Sequence, residues 1–143
     1  MRRSDVLLAF LASPSAGHEP DQIRIMKGLF LLSREGPGEL LNLYAFEPYD
    51  YGPFDKGVYA DIDRLMTNGL ISVEPSVGSS RKIYRLTDPG RERAGDVRGS
   101  MDPDALAAID ETKRVVTEKT FNELLRYVYG RHPDMATRSK FTG

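Results

Sequence analysis

The sequence predicts an α+β fold, and three observations along the chain lead to it. Residues 55–69 carry apolar side chains at the spacing of an amphipathic helix. Two segments that alternate between apolar and polar residues, Leu70–Glu74 and Lys82–Leu86, follow at once and predict a β-hairpin. Further helical patterns lie on both sides. A helix that leads directly into a two-stranded wing indicates a winged helix, so we predict a winged-helix domain at residues 1–98 and a helical C-terminal extension at residues 99–143.

Two helices are predicted before this unit. Ser4 is the expected N-cap of the first helix, which ends before Pro14. The second helix opens at Asp21, continues to about Ser33 and ends before Gly36. Both helices place apolar residues on one side, as a helix packed on a core requires.

The central segment is predicted from its alternation and its turn residues. Residues 40–46 alternate in part and are aromatic, which predicts a strand. Asp55 is the expected N-cap of the following helix, and Gly69 the expected left-handed residue at its end. Asp61 falls at the flank of this helix. Its outward face is polar and carries Lys56, Ala60, Asp63, Arg64 and Thr67.

Two more helices are predicted near the C-terminus, after a short basic helix that follows the wing. A narrow apolar stripe on the first of them consists of Leu106, Ile109 and Val116, and the second covers residues 121–128. This surface is a candidate for homodimerisation, but it could instead close on the chain's own core. Residues 132–143 show no pattern, and we expect them to be partly mobile.

Composition excludes several kinds of protein. The 143 residues include no cysteine, which excludes disulfides and thiolate chemistry and fits a reducing, cytoplasmic location. No apolar run approaches the roughly 18 residues that a membrane span needs. The net charge is only −1, but it is unevenly placed: residues 35–78 hold eight acidic residues against two basic ones, and residues 79–98 hold six basic residues against three acidic ones.

Catalytic and metal-binding chemistry is poorly supported by the residues present. His18 and His132 have no partner at metal-ligand spacing, and both are expected on the surface. Asp104, Glu111 and Lys113 imitate a nuclease string, but they lie in an alanine-rich helical pattern that does not bring such groups together on a metal. We therefore expect no enzymatic activity, no catalytic residue, no metal and no cofactor.

Two resemblances to known families can be stated from quoted residues. The helix ending RLMTNGLISVE and the hairpin ending YRLTDPG, within residues 58–90, resemble the wing half of PadR- and MarR-type regulators. That resemblance implies a recognition helix at about Asp55–Asn68, a wing at about Leu70–Leu86 and dimer-forming C-terminal helices. The strings MKGLFLL, FEPYDYGPF and LLRYVYGRHPDMATRS are similar to Panacea-type (SocA-like) antitoxin domains, which implies neutralisation of a toxin by protein contact.

The leading functional hypothesis is a transcriptional regulator that binds duplex DNA. One feature differs from an ordinary helix-turn-helix, because about twenty residues separate Ser33 from Asp55 where three or four are usual. The candidate DNA contacts are Lys56, Ala60, Arg64 and Thr67 in the major groove, and Arg81, Lys82 and Arg85 on phosphates.

The alternative hypothesis is an antitoxin-type module that grips a partner protein. Aromatic residues between positions 44 and 54 have three possible roles: core packing, a protein-binding surface, or base stacking with single-stranded nucleic acid. Packing is the expectation for most of them. The partner-binding candidates are Glu47, Tyr49, Asp50 and Tyr51.

Overall fold

Residues 1–142, which the computed structural model describes, form an α+β fold of six helices and two antiparallel hairpins. This confirms the predicted class. The helices are α1 Arg3–Ala12, α2 Gln22–Glu35, α3 Lys56–Thr67, α4 Asp88–Gly99, α5 Pro103–Glu118 and α6 Phe121–Arg131. The strands are β1 Glu47–Tyr49 paired with β2 Gly52–Phe54, and β3 Ile71–Pro75 paired with β4 Lys82–Leu86.

Capping residues set the helix boundaries much as the sequence predicts. The Asp21 carboxylate accepts the backbone N–H of Arg24 at 2.9 Å, and Asp55 accepts that of Gly57 at 2.7 Å. Gly69 has a φ of +75°, as expected of the residue that ends α3. The first boundary differs from the prediction, because α1 begins before Ser4: the Asp5 carboxylate accepts the backbone N–H of residue 2 at 3.2 Å and closes the turn earlier.

The predicted strand at residues 40–46 is wrong. Residues Gly38–Leu40 form a 3₁₀ turn, and Asn42 has a φ of +61°, which a continuous strand does not allow. Leu40 and Tyr44 are nevertheless buried, since both side chains pack in the hydrophobic core. The partial alternation of apolar residues therefore comes from an irregular segment that packs over the core, and strand pairing begins only at Glu47.

The β3–β4 hairpin, predicted as the wing, is fixed to the start of α2. The backbone N–H of Tyr84 donates to the carbonyl of Pro20 at 3.1 Å, and Ile83 forms an isolated bridge with Asp21. The side-chain amide of Gln22 donates to the Tyr84 hydroxyl at 2.9 Å. The hairpin is thus held as part of the body of the protein.

One hydrophobic core includes residues from all six helices and continues across the predicted domain boundary at residue 98. Ile109 and Val116 of α5 are fully buried, as are Leu124, Leu125 and Val128 of α6. Of the two alternatives, dimer surface or core packing, these apolar residues therefore pack on the chain's own core. Homodimerisation stays a prediction, and it would have to use other residues.

Residues 132–142 make defined contacts, whereas residue 143, the last of the segment that we expected to be partly mobile, lies outside the described residues. Residues Pro133–Ala136 form a second 3₁₀ turn, and Met135 is buried. The backbone N–H of Lys140 donates to the carbonyl of Asp50 at 2.7 Å, which ties the segment to the β1–β2 turn. Among residues 1–142, no helix is both long enough and apolar enough to cross a membrane.

Two buried lysines support chain ends and turns. The Lys113 ammonium donates to the carbonyls of Phe10, Leu11 and Ser13 at 3.0, 3.2 and 2.8 Å, and so satisfies the last carbonyls of α1. The Lys27 ammonium donates to the carbonyl of Tyr51 at 2.6 Å, under the β1–β2 turn. Burial lowers the pKa of each lysine to about 8.

Candidate nucleic-acid interface

A buried carboxylate organises the outer surface of α3. Asp61, which the sequence places at the flank of α3, is fully buried. It accepts the Tyr44 hydroxyl at 2.7 Å and forms ion pairs with Arg3 at 2.9 Å and Arg64 at 3.4 Å. Because Asp61 is buried, its carboxylate has no contact with solvent. Tyr44, Arg3 and Arg64 supply the hydrogen bonds that a buried charge requires.

The two arginines that Asp61 holds remain accessible. The side chain of Arg3 is 42% exposed and that of Arg64 is 63% exposed. The Arg3 guanidinium also lies over the Tyr44 ring, 4.6 Å from its centroid. Burial, reinforced by the hydrogen bond to Asp61, raises the pKa of Tyr44 and keeps its hydroxyl protonated. The carboxylate of Asp61 therefore orients both guanidinium groups from the protein side, while their remaining N–H donors are available to solvent.

The predicted outward face of α3 is confirmed as exposed. Lys56, Ala60, Asp63, Arg64 and Thr67 all lie at the surface. The structure adds three basic residues beside them, from α1 and α4. We define the α3 face as the basic residues Arg2, Arg3, Lys56, Arg64 and Arg93 with the helix surface between them.

Sequence analysis missed Arg2, Arg3 and Arg93 as members of this face. Two consecutive arginines directly before an apolar helix were the available signal, since a basic arm next to a helix is a common nucleic-acid contact. Arg93 belongs to the basic stretch of residues 79–98, which includes the second strand of the wing. In the structure Arg93 lies near Asp5 of α1, at 3.4 Å.

A groove of about 740 Å³ follows the start of α3. Arg3 and Lys56 line it on either side, and Asn42, Tyr44 and Ala45 form its wall. The carboxylate of Asp55 accepts the backbone N–H of Gly57 and also that of Ala45, each at 2.7 Å. The groove therefore places two cationic side chains next to a wall formed by Asn42, Tyr44 and Ala45.

Carboxylates already pair with both arginines of the wing, although Arg81 shares the buried Asp21 with Arg24. Arg81 pairs with the buried Asp21 at 2.9 Å, and Arg85 pairs with Glu19 at 2.9 Å and with Glu74. Lys82 is exposed. The three predicted phosphate contacts thus lie on one hairpin, but two of them would have to exchange a carboxylate for a phosphate.

The aromatic residues of the central segment separate into two groups. Tyr44 is buried, as the packing role requires, while Tyr49 and Tyr51 of the β1–β2 hairpin are 46% and 48% exposed. Tyr49 stacks on Phe54 with ring centroids 5.1 Å apart. Asp50 pairs with Lys140 at 3.4 Å. Of the partner-binding candidates, Glu47, Tyr49 and Tyr51 are exposed and Asp50 is half-buried.

The residues weighed for catalysis or metal binding do not come together. His132 is not on the surface as expected: its side chain is 12% exposed and its ring packs edge-on against Phe30. Glu111 pairs with Arg114 on the outside of α5, whereas Lys113 is buried against α1. Within residues 1–142 no group of three or more histidines and carboxylates is placed to hold a metal ion.

In comparisons with known proteins, no family model, no curated protein and no solved structure matches the chain.

Proposed function

We propose that this protein is a non-enzymatic transcriptional regulator that binds duplex DNA through the α3 face. In this proposal the helices and hairpins form a winged helix, with α3 as the recognition helix and β3–β4 as the wing. The six helices and two hairpins are compatible with that arrangement.

The observation that carries the proposal is the pair of arginines held by one buried carboxylate. A flexible arginine loses side-chain entropy when it binds a phosphate or a base edge. Arg3 and Arg64 are held by Asp61 before any ligand arrives, yet 42% and 63% of their side chains stay exposed. Preorganised guanidinium groups on the outer side of a helix suit bidentate contacts to phosphates and to guanine.

The charges around α3 agree with this proposal. The α3 face carries five basic residues, and of the nearby carboxylates Asp61 is buried and Asp5 is largely covered. Asp63 is the exposed acidic residue on the outer side of α3. A local positive surface of this kind can bind DNA even though the whole chain has a net charge of −1.

The proposal assigns roles to the predicted residues and to the added ones. Lys56, Ala60, Arg64 and Thr67 would face the major groove. Arg2, Arg3 and Arg93 would contact phosphates on its borders. Arg81 and Arg85 would chiefly hold the wing against Glu19 and Asp21, which leaves Lys82 as its phosphate contact.

The test is fluorescence anisotropy of a labelled random duplex at two salt concentrations. We expect binding by the wild type to fall steeply between roughly 50 and 200 mM salt, because phosphate contacts release counterions. Arg3→Gln should reduce the slope of log affinity against log salt by about 0.9, the value of one phosphate contact. Arg114→Gln, on α5, removes an equally half-exposed arginine and serves as the control. Wild type that does not bind at the lower salt would refute the proposal.

Asp63→Asn tests the same surface in the opposite direction. Removing this exposed negative charge should strengthen duplex binding, by roughly two- to fivefold, because it repels the phosphates. Glu111→Gln removes an exposed carboxylate on α5 and should leave the affinity unchanged. Equal effects of the two variants would indicate a response to net charge alone and would remove α3 from the interface.

A second candidate function is the binding of a partner protein, such as a toxin, at the β1–β2 hairpin. The observation in its favour is that Tyr49 and Tyr51 are about half exposed on a turn anchored by Lys27. Exposed tyrosines are frequent anchors in protein interfaces. Tyr51→Ala should then abolish co-purification with the partner and leave the melting temperature within a few degrees; a variant that unfolds would show a structural role instead.

A further inference from the structure

A small cavity lies where α1, the end of α3 and α4 meet. Its volume is about 90 Å³, and its lining includes the side chains of Arg2, Arg64 and Arg93, one from each of these three regions. Ser4 and Asn68 add polar groups to the same lining, which also includes the acidic residue Asp5 and the apolar residues Leu8, Leu65 and Leu70. Three arginines against one acidic residue around a small space favour an anion there, because arginine side chains repel each other.

The local charges are not balanced within the protein. Arg64 reaches Asp61 only at 3.4 Å, and Arg93 reaches Asp5 only at 3.4 Å. Arg2 forms no ion pair with any residue of the described chain, 1–142. Of the charged residues that line the cavity, three are arginines and one is Asp5, which leaves an excess of two positive charges in the lining.

Size and donor chemistry restrict the anion. A space of about 90 Å³ holds roughly three water molecules at ~30 Å³ each, which is far below the ~300 Å³ of a pocket for a drug-sized ligand. Guanidinium groups approaching from three elements suit a tetrahedral oxyanion better than a planar carboxylate, since each can take a different edge. The first turn of α1, with Ser4, adds the positive end of a ten-residue helix.

We infer that this cavity binds a single phosphate group, held by Arg2, Arg64 and Arg93. In the proposed DNA complex that phosphate belongs to the backbone, and this part of the inference rests on the proposed function. A free phosphate or phosphate monoester offers the same chemistry. The cavity would then fix the register of α3 on the duplex through one clamped phosphate.

The experiment is calorimetric titration of the whole protein with inorganic phosphate, and with acetate at matched ionic strength. The variant is Arg93→Gln, since Arg93 is half exposed and its loss leaves the core intact. Arg91→Gln is the control: it removes an exposed arginine from the same helix, one that pairs with Asp88 and does not line the cavity. Melting temperatures of both variants establish that they are folded.

We expect phosphate to bind more tightly than acetate, Arg93→Gln to weaken phosphate binding about tenfold, and Arg91→Gln to leave it unchanged. Phosphate that binds no better than acetate up to about 20 mM, a concentration that would reveal millimolar affinity, would overturn the inference. Equal phosphate affinity of Arg93→Gln and wild type would overturn it as well.

A saturating unlabelled duplex, added before the phosphate titration, distinguishes the two sources of the bound phosphate group, the DNA backbone and a free phosphate compound. If phosphate no longer binds, the cavity holds a backbone phosphate; if it still binds, the ligand is a free phosphate compound. Phosphate binding by a protein that does not bind duplex would refute the proposed function and leave the cavity as an anion site. Duplex binding without phosphate binding would refute the cavity alone.

Discussion

Replacing each buried lysine with methionine tests how the fold tolerates two cations in its interior. Lys27 and Lys113 are 4% and 1% exposed, and burial lowers the pKa of each to about 8. They differ in their acceptors: Lys27 donates to one carbonyl and Lys113 to three. Methionine has nearly the same length and shape but neither charge nor donors.

The difference between the two variants isolates these hydrogen bonds. Since the pKa is lowered to the same value in both lysines, the free energy that each variant regains by removing a buried charge is similar and cancels in the comparison. Lys113→Met leaves the carbonyls of Leu11 and Ser13 without a donor, since that of Phe10 also accepts the backbone N–H of Ser13, whereas Lys27→Met leaves only that of Tyr51. For this one additional unsatisfied group, Lys113→Met should be less stable than Lys27→Met by about 1–3 kcal/mol.

The assay is urea unfolding of both variants and of wild type at pH 7, followed by circular dichroism. Lys27→Met should be as stable as wild type or more stable, because a buried charge with a single hydrogen bond costs free energy. Lys113→Met should be the least stable of the three. Equal stability of the two variants would refute the role of Lys113 in completing α1.

Two further predictions concern pH and the glycines of α4. The pKa of Lys27 and that of Lys113 are each lower in the folded state than the ordinary value of 10.5, so the unfolded chain keeps these two protons to higher pH. The free energy of unfolding should therefore rise by about 4 kcal/mol between pH 7.5 and 9.5, about 2 kcal/mol from each lysine, and the variant in which methionine replaces Lys27 should keep only half of this rise. Gly90→Ala should destabilise by about 3 kcal/mol or more in urea unfolding, since its Cβ would lie 1.9 Å from the Leu70 carbonyl oxygen. Gly95→Ala, with open space around its Cβ, should stabilise by about 0.5–1 kcal/mol, and a loss of stability there would contradict this view of α4.

The parts of the fold that could be predicted from sequence have local signals. Asp21 and Asp55 cap α2 and α3 through hydrogen bonds to residues two or three positions ahead, so the residue type and its place in the pattern are sufficient. Gly69 and the alternation of β3 and β4 are equally local. The same kind of reasoning failed at residues 40–46, where buried apolar side chains come from a turn and not from a strand.

The site was less predictable because its members come from distant parts of the chain. Arg3, Arg64 and Tyr44 meet at Asp61, and nothing around Asp61 in the sequence indicates that this carboxylate is covered. A helical projection places it at the flank of α3, and only the packing of α1 and of the segment around Tyr44 buries it. The wing arginines illustrate the opposite error: the sequence shows their charge but not the carboxylates of Glu19 and Asp21 that pair with them.

The most direct test of the account is to map the DNA contact on the folded protein by NMR. Backbone amides and arginine side-chain N–H groups of ¹⁵N-labelled protein would be followed as a duplex is added. The account predicts the largest shift changes along the α3 face, with the side-chain signals of Arg3 and Arg64 among them, and small changes at Tyr49 and Tyr51. Changes confined to the β1–β2 hairpin or to the tip of the wing, or no change at saturating duplex, would contradict it.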